Sequence, residues 1–156
     1  MPKQSAGLLL YRRGNAGLEV LLAHPGGPFW AKKDHGAWSI PKGEFADDEE
    51  PLAAARREFA EEIGTRVDGP ALALTPLKQP SRKVIHAFAV EQDLDVAAIS
   101  SNLFEMEWPP RSGKQQAFPE VDRAAWFGLD EARQRIQPGQ APILDELARK
   151  LGAPGA

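Results

Sequence analysis

Residues 51 to 64, PLAAARREFAEEIG, leave this chain less conformational choice than any other stretch. Pro51 suits a first helical position, where its missing N–H would have no intrahelical partner, and Gly64 suits the left-handed residue just past a helix end. The spacing predicts a helix over 51–63. Leu52, Ala55, Phe59 and Ile63 recur at three and four residues and make one apolar stripe, so this helix must lie against a core. Asp47, Asp48, Glu49 and Glu50 precede it, at the positive end of its dipole.

Glu58, Glu61 and Glu62 crowd the last turn, on the face beside the stripe. A solvated helix face is the ordinary explanation of such a cluster. Against it, acids in a last turn oppose the dipole by roughly 0.3–1 kcal/mol each, and like charges four apart cost roughly 0.2–0.5 kcal/mol. Arg56 and Arg57 offset part of this cost. Ala54, one turn before Glu58, is expected to leave a shallow recess beneath the carboxylates and so an acidic, open face. A divalent cation reverses the sign of the problem. Mg²⁺ takes hard oxygen ligands, typically a few carboxylates together with the phosphates of a substrate. The cluster therefore points to metal-assisted displacement at phosphorus.

At 156 residues the chain has the size of one domain, and a single domain over 1–156 is expected. Nineteen basic against 22 acidic residues, a net charge of -3, exclude the broad positive field of a general nucleic-acid binder. Without cysteine there is neither disulfide nor thiolate chemistry, and a cytoplasmic setting is expected. No segment has the length and apolarity to span a bilayer, and the N-terminal apolar run is too short for a signal peptide.

Apolar runs at 6–11 and 18–24, separated by RRGNAG, predict a first hairpin. Residues 25–38, PGGPFWAKKDHGAW, have no period and predict an ordered surface loop. Strands are expected at 71–78, 83–91, 103–108 and 124–127, and helices over LDEARQRI and PILDELARKLG. Strands mixed with a few helices, without regular alternation, indicate an α+β fold or a mixed-sheet sandwich.

Residues 43 to 65, GEFADDEEPLAAARREFAEEIGT, resemble the signature of the Nudix hydrolases, Gly-x5-Glu-x7-Arg-Glu-U-x-Glu-Glu-x-Gly-U, where U is a bulky apolar residue. Gly43, Glu49, Arg57, Glu58, Glu61, Glu62 and Gly64 match; Phe59 is aromatic where an aliphatic is usual, and Thr65 is polar at the last position. SAGLLLYRR, WSIPKG and PEVDRAAWFGLDEA extend the resemblance over most of the chain. It implies an α/β/α sandwich with a mixed β-sheet. It also implies Mg²⁺- or Mn²⁺-dependent hydrolysis of a nucleoside diphosphate linked to another moiety, by a monomer or a homodimer.

By the same resemblance Glu58 and Glu62 are the principal metal ligands, Glu61 a further one, and the Gly43 carbonyl an additional candidate. Arg57 orients a carboxylate by a charge-assisted hydrogen bond. Glu49 either supports the loop, joins the metal network or complements the dipole. The general base is a glutamate of this box or one from a later loop, Glu120 first, with Glu105 and Glu107 reading more simply as the exposed side of a strand. Lys42, beside Gly43, is the first choice for a phosphate contact, followed by Arg111 and Lys114 in WPPRSGK. Phe29, Trp30, Trp38 and Trp108 are each more in keeping with a core than with a base-stacking role in a domain of this size, and Trp30, in the Pro/Gly loop, is the best stacking candidate among them. His24, His35 and His86 have no metal-ligand spacing and are given no role. A dinucleoside polyphosphate is the favoured substrate, with ADP-ribose or a nucleoside triphosphate as alternatives. Pro80, fifteen residues beyond Thr65, is a spacing associated with ADP-ribose hydrolases, and the only tyrosine is Tyr11, so the tyrosine marker of the dinucleoside group is absent. A nucleotide-sensing module without turnover is the reading from another class. Retention of all three box glutamates argues against it.

Overall fold

The computed structural model describes residues 3–152. Its strands are β1 (Gln4–Gly14), β2 (Gly17–Pro25), β3 (Lys42–Glu44), β4 (Leu72–Ala73), β5 (Leu77–Lys78), β6 (Val84–Glu91), β7 (Leu103–Glu107), β8 (Gln115–Pro119) and β9 (Val121–Gly128). Its helices are α1 (Pro51–Ile63), between β3 and β4, then α2 (Leu129–Arg135) and α3 (Ala141–Leu151), which close the chain after β9. The helix expected over 51–63 forms with those bounds, Glu50 capping its start and Gly64 at φ 85° its end.

β4, β6, β1, β2 and β9 run side by side in one mixed sheet. β1 is parallel to β6 from Gln4 to Tyr11 and antiparallel to β2. The expected hairpin exists, but its two strands stay paired only from Tyr11↔Val20 to the turn. Beyond Tyr11 they diverge, and residues 39–44 fill the gap: Ser39 exchanges both backbone hydrogen bonds with Ala23, and Lys42–Glu44 pair with Gly7, Ala6 and Ser5 of β1. This wedge carries Lys42 and Gly43 to the middle of the molecule.

The two faces of β1 divide the core, as strand alternation requires. Leu8 and Leu10 pack with Ala55, Phe59 and Ile63 of α1, while Leu9 and Tyr11 pack with Leu129, Leu144 and Leu147 of α2 and α3. Helices therefore cover both sides of a mixed sheet, and the fold is an α/β/α sandwich of the α+β class. Phe59, aromatic where an aliphatic is usual, is fully buried, and its loss would cost roughly 3–5 kcal/mol.

Several expectations are corrected. The strand over 71–78 is two short pieces, β4 and β5, pairing with β6 in registers one residue apart across Thr75 and Pro76, where proline has no N–H to donate. The short strand at 124–127 is the eight-residue β9, and β3 and β8 join the expected set. Ala54 leaves no recess, being fully buried between α1 and the sheet.

Candidate active site

The acidic end of α1 is not an open surface. Glu58 and Glu62 are only 9 % and 8 % exposed, whereas Glu61, between them in sequence, is partly exposed. Glu58 lies against Gly43: a Cβ at that position would collide with its carboxylate, so a side chain there would push the Glu58 carboxylate out of its present place. Burial, then repulsion from Glu58 and Glu120, push the Glu62 carboxyl up to about 8, with Lys42 opposing. Burial raises Glu58 as well, against the pull of Arg57.

Arg57 grips Glu49 with two bonds of 2.9 Å, from Nε and Nη2, and gives Nη1 to Glu58 at 2.9 Å and to Glu61 at 3.3 and 3.4 Å. It orients the box, and Glu49 anchors it. The Glu49 carboxyl is held below its usual range by that arginine. Arg56, expected to offset the same acids, instead donates to the carbonyls of Val67 and Gly69.

The end of α1 also places Glu120. Ser100 N–H donates to the Ile63 carbonyl and Asn102 N–H to the Glu61 carbonyl, satisfying carbonyls that a helix end leaves open. The Asn102 carbonyl then accepts from Glu120 N–H at 2.8 Å. From the other side Gly26 N–H donates to the Glu120 carbonyl, and a Cβ on Gly26 would collide with the Pro119 carbonyl. Glu120 is thereby fixed at the junction of β8 and β9. Burial, and then Glu61, raise its carboxyl.

One cleft of about 530 Å³ gathers Lys42, Glu62 and Glu120 with Trp30, Phe29, Phe104, Met106 and Gln137. Burial lowers the Lys42 ammonium from its usual range, and Glu62 is its strongest opposing charge. Trp30 meets Phe29 edge to face at 5.5 Å, and Lys33 Nζ lies 4.1 Å from the centre of the Phe29 ring. Trp38 is core, its Nε1–H donating to Asp34. Arg111 and Lys114 are not brought to this cleft: both are exposed in the turn between β7 and β8, whose other end supplies Phe104 and Met106. Glu105 and Glu107 are exposed, as the strand alternation predicts.

His24, given no role, is fully buried and ties the aromatic loop down: its ring nitrogens meet Asp122 Oδ1 at 2.9 Å and the Lys33 carbonyl at 2.6 Å. Asp122 is the extra residue at the register shift between β2 and β9, which aims it across the sheet. Its partner is 98 residues away in sequence, so no local spacing signals the pair.

Among the described residues no three acidic or histidine side chains cluster closely enough to cage an ion. What α1 offers is a buried, mutually repelling pair, Glu58 and Glu62, with Glu61 at its edge. That donor set fits a hard divalent cation that takes a few carboxylates and completes its shell with water and substrate phosphate.

No curated protein matches the chain. Among solved structures, the Nudix domain of Shewanella oneidensis NrtR, complexed with ADP ribose, aligns with a TM-score of 0.67 at 17% identity, covering 97% of this chain and 89% of that one. A C. elegans Ap4A hydrolase binary complex aligns with a TM-score of 0.64 at 20% identity, covering 95% and 98%. A MutT/Nudix family protein from Listeria innocua gives 0.64 at 17%, covering 97% and 96%. At these identities the likeness establishes the fold. The Nudix domain model matches residues 1–147, and the chain thus belongs to the Nudix family as a pyrophosphohydrolase.

Proposed function

We propose that the chain hydrolyses a phosphoanhydride bond in a nucleoside diphosphate linked to another moiety, with a dinucleoside polyphosphate favoured and Mg²⁺ or Mn²⁺ as the ion. The observation that carries this reading is that buried Glu62, backed by Glu58, shares one cleft with Lys42 and Glu120. When bound, the divalent ion neutralises charge on the phosphate oxygens and makes water easier to deprotonate. Glu58 and Glu62 hold it, with Glu61 and the Gly43 carbonyl as further donors.

Arg57 keeps the Glu58 carboxylate turned to that task through its 2.9 Å hydrogen bond. Glu120 accepts the proton of the attacking water on its carboxylate, which burial, by raising its pKa, makes a stronger base. Lys42 sets its ammonium against a phosphate oxygen, and Trp30 stacks on the base. Arg111 and Lys114 stand outside the cleft, where a long substrate with two nucleosides could reach them. The relatives named for ADP ribose and Ap4A both concern adenosine joined through a phosphoanhydride, which supports the substrate class. One domain, as a monomer or homodimer in the cytoplasm, completes the reading.

Product release from a nucleotide panel with Mg²⁺ or Mn²⁺, comparing wild type with Glu62→Gln, tests it. Turnover of a dinucleoside polyphosphate by wild type, lost in the variant, is expected. Tight nucleotide binding with no turnover of any substrate would replace the hydrolase with a sensor, and faster turnover of ADP-ribose would move the substrate.

A further inference from the structure

The cleft that gathers Lys42, Glu62 and Glu120 also carries a carboxamide that the proposed catalysis does not use. Gln137 lines it beside Ser39 and Ile40, and its backbone is fixed, the N–H donating to the Trp38 carbonyl at 2.8 Å. Its side chain is held only loosely. Nε2 reaches the Ala37 carbonyl at 3.5 Å, and Oε1 accepts from Gln140 Nε2 at 3.4 Å, both at the long limit of a hydrogen bond. The neighbouring wall is rigid by contrast. Gln140 is fully buried, its Oε1 accepting from Ile40 N–H at 3.1 Å and its Nε2 donating to Ser39 Oγ at 2.9 Å. A carboxamide has two donor hydrogens and an acceptor oxygen with two lone pairs, so one hydrogen and one lone pair of Gln137 are unspent and the other two are held by long bonds.

The surroundings suit a flat aromatic ring. Trp30 arrives from the loop after β2, and Phe104 and Met106 arrive from β7. Phe104 packs so tightly on the Gly27 backbone that a Cβ there would press into its ring. Ser39 and Lys42, three residues apart along the wedge with a bend at Pro41, both line the cleft, so one wall carries both the surroundings of Gln137 and a cation suited to a phosphate.

We infer that Gln137 is a specificity-determining residue that reads the edge of an adenine base seated between Trp30 and the β7 side chains. Its oxygen accepts from the 6-amino group, and its NH₂ donates to the adjacent ring nitrogen, the bidentate pairing a carboxamide makes with adenine. A base lacking the matching groups leaves the carboxamide unpaired on one or both sides and binds more weakly. The inference rests on reading the cleft as a nucleotide site and adds which base it takes.

Calorimetric binding of AMP, IMP and purine riboside 5′-monophosphate, with EDTA present, tests it apart from hydrolysis. Wild type is expected to prefer AMP by about 5- to 100-fold. Gln137→Leu should bring that ratio close to unity while affinity for purine riboside monophosphate is retained. Gln137→Glu, which keeps an oxygen for the 6-amino group but has no NH₂ for the ring nitrogen, should keep AMP ahead of purine riboside monophosphate by a smaller ratio. A merely structural role would weaken all three ligands alike and, with equal wild-type affinities, an unchanged ratio in both variants or no binding of any ligand, would overturn the assignment. Adenine preference without hydrolysis of any substrate would leave this inference standing and remove the hydrolase; hydrolysis indifferent to the base would do the reverse.

Discussion

α1 and α3 cover opposite faces of the sheet and obey the same terminal rules, yet they spend their buried surface differently. Each has a proline in its first two positions and a left-handed glycine after its last, Gly64 at φ 85° and Gly152 at φ 66°. α3 buries Ile143, Leu144, Leu147 and Ala148, and its last turn carries Arg149 and Lys150, the bases that a helix C-terminus favours. Burial pushes its Glu146 carboxyl up, but hydrogen bonds from the Thr75 N–H and hydroxyl, with Lys150, outweigh it and leave the group below its usual range. α1 buries Glu58 and Glu62 among its apolar residues, has no base in its last turn, and leaves Glu62 pushed up to about 8. Thr75 and Lys150 relieve the acid of α3; in the proposed reading an external cation does so for α1.

The contrast is sharpest in activity. Glu62→Gln is expected to lower kcat by on the order of 10²–10⁴-fold, the range for loss of a group acting at the reacting centre. Glu146→Gln should leave kcat alone and lower the melting temperature; steady-state kinetics on both variants would break the comparison if Glu146→Gln were equally inactive. In the core, Phe59→Ala should cost roughly 3–5 kcal/mol and Leu147→Ala roughly 2–5 kcal/mol in urea melts. Only Phe59→Ala should also weaken uptake of Mn²⁺, because Phe59 seats the turn that bears the glutamates.

Smaller effects probe the edges of the site. Arg57→Lys keeps the charge but cannot make the two-bond grip on Glu49 while holding Glu58, so kcat/KM should fall by roughly 10- to 100-fold with the fold retained. Arg111→Ala, on an exposed turn outside the cleft, should change KM by about twofold at most for a short nucleotide. A raised KM confined to dinucleoside polyphosphates would give that turn a role at the far end of a long substrate.

How much of this was legible in the sequence follows from the range of the forces involved. α1 was readable to the residue because Pro51, the apolar stripe and Gly64 act locally. The convergence of Glu58 with Gly43 was readable only through the family pattern, since fifteen residues separate them and the contact depends on the wedge between β1 and β2. β3 itself, Lys-Gly-Glu, has no strand pattern; diverging neighbours impose its conformation. Arg111 and Lys114 looked well placed because Pro and Gly shape their loop, but turn chemistry fixes a loop's form and not the direction it projects. The polarity of Ser39, Gln137 and Gln140 gave no signal at all, because their bonds join positions about 100 residues apart.

The central claim is that the α1 carboxylates are held in repulsion that a divalent cation relieves, and thermal melts against pH, with EDTA or with Mg²⁺, test it most directly. Because Glu62 is raised from an ordinary 4.5 to about 8, the folded state binds more protons than the unfolded state between those values. Stability without metal is full below the lower value and is lost as pH rises toward the upper one, by on the order of a few kcal/mol. Metal-free wild type should therefore melt progressively lower from pH 5 to pH 8, Mg²⁺ should restore the loss at pH 8, and Glu62→Gln should remove most of both responses, leaving the smaller part due to Glu58 and Glu120. A flat wild-type profile, or a Mg²⁺ response as large in Glu62→Gln as in wild type, would contradict the account.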